Sequence, residues 1–281
     1  MSSSSVLERL NDNPIARPFV ALGNGAINSL TELGLVIQFF ASAVLMAFRP
    51  PFRVNLLLNQ MEFVGVGSLF IIMLTGTFTG AVFTLQTVNG LAQFNLESVV
   101  GTTVMIGVTR ELAPVLTALM VTGRVASAMA TELGTMRVTE QIDAMEVMAV
   151  NPVQYLASPR ILASAIMVPC LSMLFVSVAY AGAYIMAVPV LGIDEGAYIS
   201  RIQEYVAAYD VMHGFYKSII LGILLATVGC YKGYHAAGGA RGVGNATTQA
   251  VVISSISVFV LDYVLSALLM KFEPTYNAVS Y

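Results

Sequence analysis

Charge is what this sequence has least of. Only 10% of its 281 residues are Asp, Glu, Lys or Arg, and the mean hydropathy is +0.79. Soluble domains carry about 25% charge, so the chain reads as an integral membrane protein. Its apolar runs are long enough for spanning helices rather than β-barrel strands. Tryptophan is absent, which leaves interface anchoring to Tyr and Phe. The two cysteines, Cys170 and Cys230, fall in apolar runs and read as small buried hydrophobes, not as a disulfide or a metal site. A formal net charge of −3 points to no nucleic-acid partner.

Catalytic signatures are missing too. Gly-Lys never occurs, so there is no Walker A loop. Gly242 and Gly244 before Asn245-Ala246-Thr247 lack the lysine and the preceding strand of a phosphate loop, and they read as a tight turn between spans. HExxH, GxSxG and a paired-histidine cluster are absent. Asp210 and His213 stand at i, i+3, but two ligands make no metal site. The chain is expected to be no enzyme, with no cofactor or metal of its own. Its opening, MSSSSVLERLNDNP, lacks a charged-then-apolar signal pattern, so insertion is expected through its own spans.

The charges that do exist are concentrated. Gly123 to Arg160 carries Arg124, Glu132, Arg137, Glu140, Asp143, Glu146 and Arg160 between nearly uncharged flanks. Within it, Thr139 is placed as an N-cap, with Glu140, Gln141 and Asp143 in the first turn, where negative charge suits the helix dipole. Val138, Ile142, Met145 and Ala149 recur at i, i+4, i+7, i+11 as one apolar stripe. A helix of about 12 residues is about 18 Å long and ends at Asn151-Pro152. It suits either a partner's groove or a bed of headgroups, although anionic lipid prefers Lys and Arg on the polar face.

In chain order, residues 1–60 read as a polar Ser-rich tail and an interfacial helix, residues 61–270 as a five-span membrane domain, and 271–281 as a C-terminal tail. Leu30 to Phe48 is placed at the interface, the alternative being a true first span; Pro50-Pro51 ends it. Five spans follow: about Phe63–Val88, Ser98–Val121, Ile161–Val188 (with Pro169 inside), Gly214–Cys230 and Ala246–Met270. Gly76 and Gly80 form a GxxxG pair that lets backbones approach. Thr79, Phe83 and Gln86 share a face of the first span and offer a pocket wall. Arg110 and Glu111 lie near the middle of the second span, where an Arg costs ~2.5–3.5 kcal/mol. Adjacent residues diverge by about 100°, so each is expected to pair with another helix or to edge a substrate path. Asp262, toward the far end of the fifth span, should be paired or near the interface. Lys217, near the start of the fourth, reads as snorkelling. Tyr231 to Asn245 reads as a Gly-rich loop. In the segment 189–213, Tyr198, Tyr205 and Tyr209 share one helical face, as interface anchors or as contacts for an external partner.

This layout puts Arg9, Arg17, Arg49, Arg53, Arg124, Arg137, Arg160, Lys232 and Arg241 on one side and Arg201, Lys217 and Lys271 on the other. The positive-inside rule then makes the N-terminus and the 123–160 stretch cytoplasmic, and the 189–213 segment and the C-terminus external. Three functions fit: a transporter permease with a separate ATPase, an ion-coupled carrier of a small amphiphile using Arg110, Glu111 and Asp262, or a membrane enzyme. The absent chemistry disfavours the third. The acidic cytoplasmic helix and the lack of an internal repeat favour the first over the second.

The run RELAPVLTALMVTGRVASAMATELGTMRVTEQIDAMEVMAVNP, with the Ser158-Pro159-Arg160 triplet, GVGNATTQAVVISS and LDYVL after it, resembles the MlaE family of ABC-transporter permeases, with the YrbE proteins of mce operons and the chloroplast lipid permease among its relatives. The resemblance covers roughly Gln60 to Met270, and its most specific part is Glu132 to Gln141. It implies an all-α integral membrane fold of five transmembrane helices preceded by an interfacial helix, with a cytoplasmic coupling helix near Arg137 to Met148. It further implies a homodimer in the inner membrane that moves phospholipid or related lipid. Its partners would be two copies of a cytoplasmic ATPase, which bind the ATP and Mg, and an MCE-domain protein outside. On this pattern Arg137, Glu140, Gln141, Asp143, Met145 and Glu146 couple to the ATPase, and Arg110 and Glu111 lie near the lipid cavity; Thr79, Phe83 and Gln86 are placed on the lipid path, and Tyr198 and Tyr205 toward the external partner, by the helical faces they share.

Overall fold

The structure, a computed structural model, describes residues 17–50, 53–94, 96 and 99–272. The Ser-rich tail, Pro51 of the proline pair and residues 273–281 of the C-terminal tail lie outside the described residues. Among those described, every regular element is helical. We number them α1 (Arg17–Ala47), α2 (Val54–Gly65), α3 (Leu69–Leu91), α4 (Val100–Gly107), α5 (Ala113–Val121), α6 (Ser127–Val138), α7 (Gln141–Val147), α8 (Ser158–Ile185), α9 (Glu195–Tyr205), α10 (Ala208–Tyr234) and α11 (Gly239–Leu269).

Several of these join into longer rods. A 3-10 turn at Val66–Ser68 links α2 to α3, and π-helical turns at Val108–Leu112 and Thr122–Ala126 link α4, α5 and α6. Val100–Val138 is therefore one rod of 39 residues, about 58 Å long, against a hydrocarbon core of about 30 Å. The second span, expected to stop near Val121, continues through α6, because nothing between Gly123 and Val138 breaks a helix. The first part of the charged stretch is thus the continuation of a span, and α7 follows at the end of that rod. The expected Gly-rich loop is also mostly helix: α10 reaches Tyr234 and α11 starts at Gly239. Gly238 and Gly239, at φ 94° and 69°, make the reversal.

Close backbone contact holds the spans together. A Cβ at Gly80 would lie 1.9 Å from the Ala179 carbonyl oxygen of α8, and one at Gly182 would lie 2.1 Å from that of Thr77. The GxxxG pair therefore serves an α3–α8 contact inside one chain. α10 is the central helix, with Leu221, Leu225, Ala226 and Cys230 fully buried. α3 and α11 are peripheral and expose apolar faces: Phe70, Met73, Phe78 and Val82 on one, Ile256, Phe259, Val260 and Tyr263 on the other. Such faces are stable only against lipid or protein.

By length and composition, six helices among the described residues can cross a membrane, α1 being the first. The contacts of α1 set it apart from the other five. Glu32 pairs with Lys232, Phe39 packs on the rings of Tyr231, Tyr234 and His235, the Ala43 carbonyl accepts from the Ser158 hydroxyl at 2.7 Å, and the Arg49 carbonyl accepts from Gln154 at 2.8 Å. Glu32 to Arg49 covers about 25 Å of chain at helical rise, yet its partners on α10 occupy little more than one turn. A helix spanning beside α10 would meet it along many turns. α1 instead lies across the end of the bundle that carries α7, as an interfacial helix would.

Candidate functional site

At the α7 end, the Thr139 hydroxyl donates back to the Thr135 carbonyl at 2.8 Å, so Thr139 closes α6 and does not cap α7 as expected. The residue entering α7 is Glu140, left-handed at φ 59°, which breaks the helical path between α6 and α7. Ala149, also at φ 59°, ends the segment. The helix between them has seven residues, shorter than the expected twelve, and the four-residue apolar stripe does not survive. Val138 belongs to α6 and Ala149 lies beyond α7, leaving Ile142, fully buried, and half-buried Met145 against the bundle.

The rest of α7 is tied down by polar contacts. Arg137 pairs with Asp143 at 2.5 Å, Gln141 donates to the Thr139 hydroxyl at 3.0 Å, and Glu146 accepts from the Tyr234 hydroxyl at 3.2 Å. The Arg137 guanidinium lies 5.9 Å over the Tyr234 ring. Glu140, Gln141, Asp143 and Glu146 are all exposed. Sequence reasoning missed the tip: Val147 is 89% exposed and Met148 66%. No helical period marks them, because they stand where α7 ends.

The second cluster lies in the membrane. The π-helical turn at Val108–Leu112 holds Arg110 and Glu111, which, as expected, pair with other helices and not with each other. Arg110 meets Asp210 at 2.5 Å, while Glu111 meets Lys217 at 2.6 Å. Lys217 also meets Asp262 at 2.7 Å and donates to the Ser266 hydroxyl at 2.9 Å and the Arg110 carbonyl at 3.1 Å. The expected snorkelling lysine is 0% exposed. Two carboxylates, a hydroxyl and a carbonyl from neighbouring helices replace its water, so it has no need to reach the interface. Asp262 is paired, as expected. The Glu111 side chain keeps 43% exposure, so the cluster has an open flank. Phe83 packs near Gly107, one turn before Glu111, with a Cβ there 3.1 Å from its ring; Thr79 is half-buried and Gln86 exposed.

At the opposite end, three tyrosines expected to share one face have three separate environments. Tyr198 is 1% exposed, packed between Gly101 and Tyr184, and is not available to an external partner. Gly101 has no side chain to keep the ring out. Tyr205 is exposed, with the Arg201 guanidinium 5.8 Å over its ring. The Tyr209 hydroxyl donates to the Leu269 carbonyl at 3.2 Å. Two further arginines counted as cytoplasmic surface charge are internal ties. Arg124 donates to the Phe63 carbonyl at 2.8 Å and the Ser68 hydroxyl at 3.1 Å, and buried Arg160 pairs with Glu132 at 2.8 Å.

Residues 57–268 match the family model described as Permease MlaE. A probable ABC transporter permease protein of Rickettsia felis is 38% identical over 89% of this chain and 97% of its own length. The intermembrane phospholipid transport system permease protein MlaE of Haemophilus influenzae is 36% identical over 86% of this chain and 98% of its own. The chloroplastic protein TRIGALACTOSYLDIACYLGLYCEROL 1 of Arabidopsis thaliana is 36% identical over 75% of this chain and 60% of its own. The match spans all five bundle helices and both clusters, and the chain belongs to the MlaE permease family.

Proposed function

We propose that this chain is the membrane subunit of an ABC transporter that moves phospholipid between membranes, working as a homodimer in the inner membrane. A separate cytoplasmic ATPase binds the ATP and Mg and docks on α7; an MCE-domain protein meets the other end, where Tyr205 is an exposed aromatic. The N-terminus and the α7 end face the cytoplasm and the C-terminus faces out. Arg49, Arg53, Arg137, Lys232 and Arg241 lie at the α7 end against Arg201 and Lys271 at the other, a balance that supports this orientation.

The carrying observation is that α10 bears Tyr234, bonded to α7, and Lys217, buried in the charge cluster. About 25 Å of one helix joins them. When the ATPase dimer closes, force enters through the exposed acids and through Val147 and Met148. The α6–α5–α4 rod and α10 move together, since Arg110 and Glu111 are bonded to α10. The apolar faces of α3 and α11 supply walls for an amphiphile between two copies, and the exposed flank of Glu111 supplies polarity for a headgroup. The chain performs no covalent step.

Purification of the tagged chain in mild detergent, with mass spectrometry of what accompanies it, tests this reading. The expected result is an ABC ATPase, an MCE-domain protein and bound phospholipid. A lone chain that supports ion-driven uptake in liposomes without nucleotide would overturn it and make Arg110, Glu111 and Asp262 coupling residues.

A further inference from the structure

Where α1 ends and α2 begins, the chain leaves a crevice of about 140 Å³ against the first turns of α8. Its rim carries Arg49 and Arg53, its floor Met46, Leu57 and Leu162, and among the described residues no carboxylate lines it. Both arginines are exposed, and among the described residues neither makes an ion pair. Arg110, Arg124, Arg137, Arg160, Arg201, Lys217 and Lys232, by contrast, each have an ion pair or a carbonyl partner. Arg53 is held in position, its guanidinium 4.5 Å over the Tyr155 ring, while the Arg49 backbone is fixed by Gln154.

The level of this crevice follows from the fold. α1 lies across the bundle end, and α2 and α8 enter the membrane from it. Leu57 and Leu162, one turn inside those helices, face hydrocarbon depth, whereas Arg49, Arg53 and Tyr155 stand at headgroup depth, where Arg and Tyr anchor helices. A cationic rim above an apolar floor at that height complements one occupant: a lipid with an anionic head. The cavity is too small for whole acyl chains, so it seats the head and the chain root while the tails run on into the leaflet.

We propose that this crevice is a binding site for an anionic phospholipid of the leaflet on the α7 side. Its phosphate sits between Arg49 and Arg53, and its chain root lies along Leu57 and Leu162. The lipid is a resident one that clamps α1 to α2 and α8, separate from any lipid moved between copies at α3 and α11. The site requires only that the chain span a membrane, so its failure and that of the transport reading are distinguishable.

The test uses the full chain, stripped of lipid in detergent and titrated with dioctanoyl phosphatidylglycerol, dioctanoyl phosphatidylcholine or inorganic phosphate, with bound ligand counted by native mass spectrometry. Wild type should bind the glycerol lipid saturably and about ten-fold or more tighter than the choline lipid. The R49Q/R53Q variant should lose that preference, and R49K/R53K should keep most of it. L57Q/L162Q, which leaves the charges alone, should weaken the lipid and leave phosphate unaffected. Equal binding of the two lipids, undiminished binding by R49Q/R53Q, or inorganic phosphate binding as tightly as the lipid would overturn the proposal. E140K/D143K, which alters only α7, should bind the lipid as wild type does.

Discussion

The Tyr234 hydroxyl donates a hydrogen bond to Glu146 across 3.2 Å, joining the last turn of α10 to α7. Besides this bond, the ring of Tyr234 sits beneath Arg137 and against Phe39 of α1. A motion of α7 therefore reaches the central helix and the interfacial helix through one side chain.

Tyr234→Phe removes the bond and keeps the ring. A single hydrogen bond of this kind is worth ~0.5–1.5 kcal/mol, so the chain should fold and dimerise normally. Stimulation of the ATPase by the permease should fall by a few-fold. Assaying ATP hydrolysis by the reconstituted complex, with and without the substitution, checks this; unchanged stimulation would remove Tyr234 from the path.

Lys217 holds Glu111 and Asp262 together. Lys217→Met leaves two carboxylates facing each other without a cation, and breaking a buried pair this way costs ~3–5 kcal/mol. Thermal unfolding in detergent should show a large loss. Asp262→Asn added to Lys217→Met should restore part of it, because one of the stranded charges is gone; a double variant as unstable as the single would mean that charge is not the cause.

Gly80→Ala drives a methyl group into the Ala179 carbonyl. Overpacking of this sort costs ~1–3 kcal/mol or more, and the α3–α8 pair must part. Cysteine cross-linking between the two helices should slow in the variant, while the same change at Gly90, where a Cβ meets nothing within 4 Å, should have no effect.

Burial pushes the Tyr198 phenol up from the ordinary 10.0 to about 12. Below pH 10 the group is neutral in both folded and unfolded chains and its contribution is fully present. From there to about pH 12 the unfolded chain ionises first, so stability falls as pH rises through this window. Its hydroxyl is buried and makes no hydrogen bond, so Tyr198→Phe should cost little at neutral pH and should flatten the alkaline loss. Unfolding midpoints of the two proteins across pH 9 to 12 decide it.

Much of this was legible in the residues. Hydropathy located the five bundle helices, Gly76 and Gly80 announced a close crossing, and the mid-span Arg110 and Glu111 signalled partners on other helices. What stayed hidden depended on tertiary placement. Lys217 looked like an interface residue because nothing local reveals that Glu111 and Asp262, distant in sequence, converge on it. Tyr198 shared a helical face with Tyr205, yet only the path of α4 brings Gly101 beneath it. The α7 stripe failed because period counting assumes one continuous helix, and the left-handed residues Glu140 and Ala149 cut it at both ends. For the same reason Val147 and Met148, exposed apolar residues at the end of α7, carried no signal.

The central claim is that α7 receives the work of a separate ATPase. Charge reversal at two of its exposed acids, Glu140→Lys with Asp143→Lys, tests it most directly, with ATP hydrolysis and lipid movement measured in proteoliposomes and the oligomeric state checked alongside. The account predicts an intact, folded dimer whose ATPase stimulation and lipid movement are both lost. Full stimulation by the variant, or loss of dimer and fold together with activity, would contradict it.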